Sequence, residues 1–138
     1  PAPAGTLGLG GPVLRATLFF ALEAPMSDCL FCNMATGEMA VPKIFEDEHV
    51  FAIRDINPRA PVHALVIPRT HIPTVREIES AHARLLASVF TAATQVAEIE
   101  GVKDSGYRLA FNCGDDAGQT VYHIHLHVLG GRKLGHEG

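Results

Sequence analysis

The chain has 138 residues, of which 47% are hydrophobic, and this length and composition suffice for one compact domain with a buried core. The formal net charge is −4 and basic residues form no run, so nucleic-acid polymers are not expected as partners, whereas small nucleotides remain open. No stretch reaches the roughly 18 apolar residues that a membrane-spanning helix requires, so no membrane partner is expected.

The N-terminal segment differs in composition from the rest of the chain. The first 25 residues are rich in Pro, Gly and Ala, and Arg15 and Glu23 are their only charged residues. The apolar run at residues 16–22 is short for the core of a signal peptide, and an acidic residue follows it directly. We predict a disordered extension over residues 1–26, a single domain over residues 27–138 and a cytoplasmic protein, with a weak organelle-targeting segment as the alternative.

A C-x-x-C motif opens the domain. Cys29 and Cys32 supply two of the four ligands that a structural zinc requires, and two reduced thiols without a metal are the alternative. A disulfide is not expected, because Cys113 is left over and the sequence shows no convincing secretory signal. A short helix is predicted over residues 30–36, with Gly37 as its end.

The remaining apolar patterns predict an α+β fold. One long helix is expected at residues 76–100, and Gly101 would end it. Its apolar residues recur at helical spacing, as in a helix that packs on a core: Ile78, Leu85, Leu86, Val89, Phe90, Ala93, Val96 and Ala97. Short strands are expected at residues 43–46, 50–55, 64–68, 107–111 and 121–129.

A polar loop separates the last two predicted strands. Gly114 and Gly118 allow backbone conformations in which successive N–H groups form an anion-binding nest. Asn112, Gln119 and Thr120 add neutral donors. The composition suits a phosphate ester or phosphoramidate, although an ordinary polar hairpin loop would have the same residues.

Three alternating histidines lie in the last predicted strand. His123, His125 and His127 would line one face, because side chains at i, i+2 and i+4 of a strand point the same way. The other face would meet the core through Tyr122, Ile124, Leu126 and Val128. From the spacing alone the histidines could be catalytic, could bind a metal, or could have no chemical role.

The segment around these histidines resembles a known family. Residues 118–132 read G-Q-T-V-Y-H-I-H-L-H-V-L-G-G-R, which resembles the H-φ-H-φ-H-φ-φ signature (φ apolar) of the histidine triad (HIT) superfamily. The flanking G-Q-T-V-Y and G-G-R are similar to its Hint branch, the purine nucleoside phosphoramidases. Residues 45–48, 55–63 and 65–72 follow the family's order, and the resemblance covers residues 27–132. It implies a five-stranded antiparallel sheet with one long and one short helix, in a homodimer with a continuous sheet.

The resemblance also implies catalytic roles. His125 would attack the α-phosphorus and form a covalent nucleotidyl-histidine, which water then opens. The backbone carbonyl of His123 would fix the tautomer of the nucleophile. His127 would hydrogen-bond the phosphate or pass a proton to the leaving amine, and His63 would complete the relay. No metal is needed for this chemistry.

Binding roles are implied in the same way. Asp55 would accept hydrogen bonds from the ribose hydroxyls, although it could equally be a turn aspartate before Asn57. An apolar slot for the base would be formed by Phe31, Met34, Ile53 and Ile56, which otherwise belong to the core. The phosphate would be held by Asn112, Gly118, Gln119 and Thr120. A structural zinc would be bound by Cys29, Cys32, His71 and His123.

The implied activity is hydrolysis of purine nucleoside 5′-phosphoramidates with release of the nucleoside monophosphate. A dinucleoside polyphosphate hydrolase is the alternative enzyme, which the G-G-R at residues 130–132 disfavours. A nucleotide-binding regulatory protein with vestigial catalysis is the alternative outside enzymes. The aromatic residue and prolines that often end Hint proteins are absent from residues 133–138, so the preferred leaving group is open.

Overall fold

A computed structural model describes residues 26–137, so the predicted N-terminal extension lies outside the described residues apart from Met26. The regular elements are helices α1 (Leu30–Thr36) and α2 (Ala83–Ile99) and strands β1 (Phe45–Glu46), β2 (Val50–Arg54), β3 (Val62–Pro68), β4 (Tyr107–Ala110) and β5 (Leu126–Gly130). The predicted α+β fold, with one five-stranded sheet and one long and one short helix, is therefore confirmed.

All neighbouring strands of the sheet are antiparallel, in the order β1-β2-β3-β5-β4. Strand β5 therefore lies between β3 and β4, and His127 stands opposite Leu65 on one side and Ala110 on the other. His63 stands opposite Leu129. Because side chains alternate along a strand, His63 and His127 point to the same face of the sheet.

The two faces of the sheet have different coverings. Helix α2 packs on one face through a cluster of small and branched residues that includes Val89, Val96 and Val128. On the other face, Phe31 and Met34 of α1 pack on Phe51 and Ile67. The histidine side chains share this second face with α1, so the short helix rather than the long one borders the site.

The long helix begins later than the sequence predicts. Two single 3₁₀ turns, Val75–Glu77 and Ser80–His82, precede α2, which begins at Ala83. Thr74 and Glu77 cap the first turn reciprocally, and Ile78 is extended, which interrupts the helical hydrogen bonds. Helix α1 has the predicted bounds, from the Cys29 cap to Gly37 in the left-handed conformation.

The histidine strand is shorter than predicted: β5 begins at Leu126, whereas the sequence pattern predicts a start at residue 121. The backbone N–H of Ile124 donates to the carbonyl of Ile72 at 2.8 Å, outside the β3–β5 ladder. Ile124, Leu126 and Val128 are buried as predicted, but Tyr122 is exposed and its hydroxyl bonds Asp115. Only His127 of the three histidines therefore belongs to the sheet. Within residues 26–137, no helix combines the length and apolar character needed to cross a membrane.

Candidate active site

Two buried imidazoles from neighbouring strands form the centre of the site. Nε2 of His63 lies 2.9 Å from Nδ1 of His127. Nδ1 of His63 accepts the backbone N–H of Arg59 at 3.1 Å, so a neutral His63 carries its proton on Nε2 and donates it to His127. His127 then carries its own proton on Nε2, 3.4 Å from the side-chain amide of Asn112, which accepts this proton when a flip of the amide places its oxygen there.

His125 lies beside this pair with the opposite tautomer. Its Nδ1 is 2.8 Å from the carbonyl oxygen of His123, and because a carbonyl only accepts, Nδ1 carries the proton. Nε2 of His125 is thereby left with a lone pair, as a nucleophile requires. The ring centroids of His125 and His127 are 5.0 Å apart. The site therefore places a nucleophilic nitrogen next to a proton-bearing one.

Burial keeps these imidazoles neutral. Desolvation lowers the pKa of His63 and of His125 from the ordinary value of 6.5. The pKa of His127 is lowered to about 4, first by burial and then by the neighbouring His125 and His63 rings. Near pH 7 all three are therefore neutral in the free protein, and neutral His125 is the nucleophilic form.

The glycine-containing loop is braced from inside. Gly114 and Gly118 have φ of 87° and 89° and flank a single 3₁₀ turn. The side chain of Gln119 is buried, accepts the N–H of Gly114 at 2.9 Å and donates to the carbonyls of Pro73 and Val121. Gln119 is therefore not available as the phosphate donor that the sequence predicts, since both of its N–H groups are used within the fold. Gly118 is not available either, because its backbone N–H donates to the carbonyl of Asp115 at 2.9 Å, so half-buried Asn112 and exposed Thr120 remain as candidate donors.

Asp55 lies beside the histidine pair and also shapes a turn. Its Oδ1 accepts the backbone N–H of Asn57 at 2.8 Å, as in the turn that the sequence leaves open. Its Oδ2 is 3.4 Å from Nε2 of His63. A carboxylate has about four lone-pair sites, so these contacts leave acceptor capacity for a ligand.

The predicted apolar slot is only partly assembled. Phe31, Met34 and Ile53 are buried together against the sheet, and Phe31 lies edge-on to the His125 ring at a centroid distance of 5.1 Å. Ile56 is 91% exposed and is not brought to them. Ile56 therefore lies at a loop tip and does not form a wall of the slot.

The two cysteines meet two histidines at the N-terminal end of α1. Nδ1 of His123 lies 3.3 Å from Sγ of Cys29, 3.5 Å from Sγ of Cys32 and 3.1 Å from Nδ1 of His71. Ligands of a tetrahedral zinc with ordinary bond lengths are about 3.3 to 3.8 Å apart, so all three separations lie within about 0.2 Å of the range for such a site. We call Cys29, Cys32, His71 and His123 the thiol–imidazole cluster.

The surroundings of this cluster also suit a cation. Nε2 of His123 donates to the carbonyl of Pro68 at 2.7 Å, which leaves Nδ1 free for a metal and is the usual orienting bond of a ligating histidine. Burial, and then the neighbouring Cys29, raises the pKa of Cys32 to about 11. A bound cation would favour the thiolate and so lower this pKa again. A second set of potential ligands, which also lie within 4.8 Å of one another, is Asp55, His63 and His127.

Sequence reasoning missed two contacts that orient the histidines and one set of bonds that braces the glycine-containing loop. They are the N–H of Arg59, the carbonyl of Pro68 and the internal bonds of Gln119. The first two are backbone groups, which side-chain patterns do not reveal. The Gln119 bonds depend on the fold bringing Pro73 beside the loop.

Comparison with known proteins agrees with this geometry. The HIT domain family matches residues 36–134. A purine nucleoside phosphoramidase of Escherichia coli is 43% identical over 108 residues, which are 78% of this chain and 91% of that protein. Solved HIT family hydrolases of Clostridium thermocellum and Legionella pneumophila are 47% and 46% identical, with TM-scores of 0.77 and 0.76. They cover 82% and 78% of this chain, and 98% and 96% of their own lengths are matched. Since the match spans most of the chain and includes the histidine signature, the chain belongs to the HIT domain family and is a hydrolase.

Proposed function

We propose that this hydrolase cleaves the P–N bond of purine nucleoside 5′-phosphoramidates through a covalent nucleotidyl-histidine and releases the nucleoside monophosphate. The observation that carries the proposal is the pair of fixed tautomers, an unprotonated Nε2 on His125 beside a protonated Nε2 on His127. The substrate class follows the Escherichia coli relative, which is named a purine nucleoside phosphoramidase.

In the first step, Nε2 of His125 attacks the α-phosphorus, and the P–N bond to the leaving amine breaks as the new N–P bond forms. The attacking ring becomes positively charged, and the carbonyl of His123 stabilises that charge through the Nδ1–H bond. His127, which the bound phosphoryl group brings to its imidazolium form, gives the Nε2 proton to the leaving amine and is left neutral. The negative charge of the bound phosphoryl group raises the proton affinity of His127 from its low value in the free protein.

In the second step, water attacks the phosphorus of the nucleotidyl-histidine. The N–P bond breaks, neutral His125 is released, and the water proton returns through His127. One difficult displacement at phosphorus is thereby divided into two easier ones. The backbone contacts keep the proton of His63 on Nε2 and that of His125 on Nδ1 at the start of each step.

The nucleotide would be held by groups on both sides of the histidines. Asp55 would accept from the ribose hydroxyls with the acceptor capacity that its turn leaves free. Asn112 and Thr120 would donate to the phosphate. The base would lie against the Phe31 side of the site.

The thiol–imidazole cluster would hold one structural zinc. Cys29, Cys32, His71 and His123 are the residues that would bind it, and their Cys₂His₂ donor set is one that zinc favours in structural sites. Such an ion ties the N-terminal end of α1 to the sheet and supplies no chemistry to the reacting atoms.

A homodimer is part of the proposal. Strand β4 is an edge of the sheet, and its residues from Tyr107 to Ala110 are only half-buried in the single chain. An edge of this kind pairs readily with a second copy, which would continue the sheet. Sedimentation should give twice the mass of one chain, whereas a monomer at micromolar concentration would contradict the pairing.

The test is hydrolysis of adenosine 5′-phosphoramidate by wild type, His125→Ala and His49→Ala. His49 is an exposed histidine, and its removal controls for the loss of an imidazole. We expect His125→Ala to lower kcat at least about 1,000-fold and His49→Ala to match wild type. Rapid denaturation during turnover should trap an adenylate adduct on wild type, detected by mass, and none on His125→Ala.

Each alternative predicts a different result in this assay. A metal centre built on Asp55, His63 and His127 would activate water directly, so His125→Ala would keep most of its turnover. A dinucleoside polyphosphate hydrolase would turn over such a substrate but not the phosphoramidate. A regulatory protein would bind AMP and turn over neither.

A further inference from the structure

The nucleophile lies on a segment that the sheet does not hold. The β5 ladder begins at Leu126, so the backbone of His123 and His125 has no ladder bonds. A catalytic imidazole nevertheless has to keep its position to within a fraction of an ångström and its proton on one nitrogen. The rigidity of this segment must therefore come from other contacts.

Apart from the bond between the N–H of Ile124 and the carbonyl of Ile72, those contacts converge on His123, which is fully buried and held at three points. Its Nε2 donates to the carbonyl of Pro68, and its Nδ1 lies within the thiol–imidazole cluster. Its own carbonyl accepts the Nδ1–H of His125. The group that sets the tautomer of the nucleophile therefore belongs to a residue whose side chain is part of the cluster.

Helix α1 provides a second connection between the cluster and the nucleophile. Cys29 caps the helix, and Cys32 lies in its first turn, so both thiols move with it. Between them, Phe31 is buried and packs edge-on against His123 and His125, with centroid distances of 5.8 and 5.1 Å. Displacement of the helix end would therefore move a ring that bounds the nucleophile.

We propose that the thiol–imidazole cluster positions the nucleophile. Zinc bound to the cluster fixes the His123 carbonyl and the Phe31 ring, and these two groups hold His125 in its Nδ1–H tautomer. The catalytic consequence rests on the proposed function, whereas zinc binding and the tautomer can be measured without it. In this role His71 and the two cysteines are positioning residues, and none of them touches the reacting atoms.

The physical basis is the difference between a coordinated and an uncoordinated cluster. Thiols are weak hydrogen-bond donors, and Nδ1 of His123 and of His71, 3.1 Å apart, can share only one proton. Four bonds to one cation replace these weak contacts and fix Nδ1 of His123 relative to α1. The His123 carbonyl follows, because it is part of the same residue.

The experiment compares wild type with His71→Ala and His71→Cys, and uses His49→Ala as the control. His71 is exposed and does not contact His125 directly, and a Cys₃His set is also an ordinary zinc site. The readouts are zinc per chain, the ¹⁵N shifts of the His125 ring nitrogens at fixed pH, and turnover of adenosine 5′-phosphoramidate.

We expect wild type, His71→Cys and His49→Ala to bind one zinc and to show His125 protonated on Nδ1. His71→Ala should lose zinc, show mixed His125 tautomers and lose about 10-fold to 100-fold in kcat with KM little changed. The same change in tautomer should follow chelation of wild type and be reversed by Zn²⁺, which keeps the test valid if His71→Ala does not fold.

Two results would overturn the proposal. One is a wild type that binds no zinc. The other is a zinc-free chain, made by either route, whose His125 tautomer is that of the zinc-loaded protein. If no form of the protein hydrolyses the phosphoramidate, the proposed function fails, and the tautomer comparison still decides whether the cluster positions His125.

Discussion

Acid should destabilise this fold through His127. Burial and the adjacent His125 and His63 rings lower its pKa from 6.5 to about 4, so below pH 6.5 the unfolded chain binds a proton that the folded chain does not. Each unit by which the pH falls between 6.5 and 4 therefore lowers the free energy of unfolding by about 1.4 kcal/mol. The contribution of neutral His127 is present above pH 6.5, and lowering the pH from 6.5 to 5 should remove about 2 kcal/mol of it.

The assay is urea unfolding at pH 6.5 and pH 5 for wild type and His127→Gln. Glutamine does not titrate, and its amide oxygen can still accept from Nε2 of His63. The variant should therefore lose about 2 kcal/mol less than wild type over this interval. His49→Ala, which removes an exposed imidazole, should lose as much as wild type. Equal losses in wild type and His127→Gln would show that the surroundings of His127 do not keep it neutral, which would refute this reasoning.

Three further predictions concern the loop, the ribose site and two glycine positions. Gln119→Ala leaves the buried N–H of Gly114 without its acceptor, so we expect a loss of about 1 to 3 kcal/mol in urea unfolding and a higher KM for the phosphoramidate. Asp55→Asn should raise KM about 10-fold or more, and a 2′,3′-dideoxy substrate, which lacks the hydroxyls, should show little difference between variant and wild type. A Cβ at Gly131 (φ 94°) would lie 2.8 Å from the side chain of Pro61, whereas a Cβ at Gly37 (φ 87°) would meet open space. Gly131→Ala should therefore lower the free energy of unfolding by at least about 1 kcal/mol more than Gly37→Ala does.

The parts of the fold that depend on local signals could be predicted from sequence. Helix α1 has the predicted bounds, and its end follows from the left-handed glycine at Gly37, whereas the cap at Cys29 was seen only in the structure. The start of α2 could not be predicted from periodicity, because the local cap at Thr74 and the extended backbone at Ile78 interrupt a pattern that otherwise continues. Apolar periodicity reports which residues face the core, and it does not report where the hydrogen bonds of a helix begin.

The same distinction explains the error at the histidine strand. Alternation of side chains requires an extended backbone, whereas a strand also requires a partner for its N–H groups. The alternation continues through His123 and His125, yet the N–H of Ile124 bonds the carbonyl of Ile72 instead of the ladder. The histidines were therefore located by their spacing, but the support of the first two came from contacts between segments far apart in sequence.

Backbone contacts explain how chemically identical side chains come to have different roles. The N–H of Arg59 places the proton of His63 on Nε2, the carbonyl of His123 places that of His125 on Nδ1, and the carbonyl of Pro68 places that of His123 on Nε2. His127 takes its tautomer from His63. Each ring therefore has one nitrogen committed to the fold and one free for chemistry: a lone pair on His125, a donor on His127 and a potential metal ligand on His123. A pattern of three histidines can identify such a site, but the assignment of roles depends on the main chain around them.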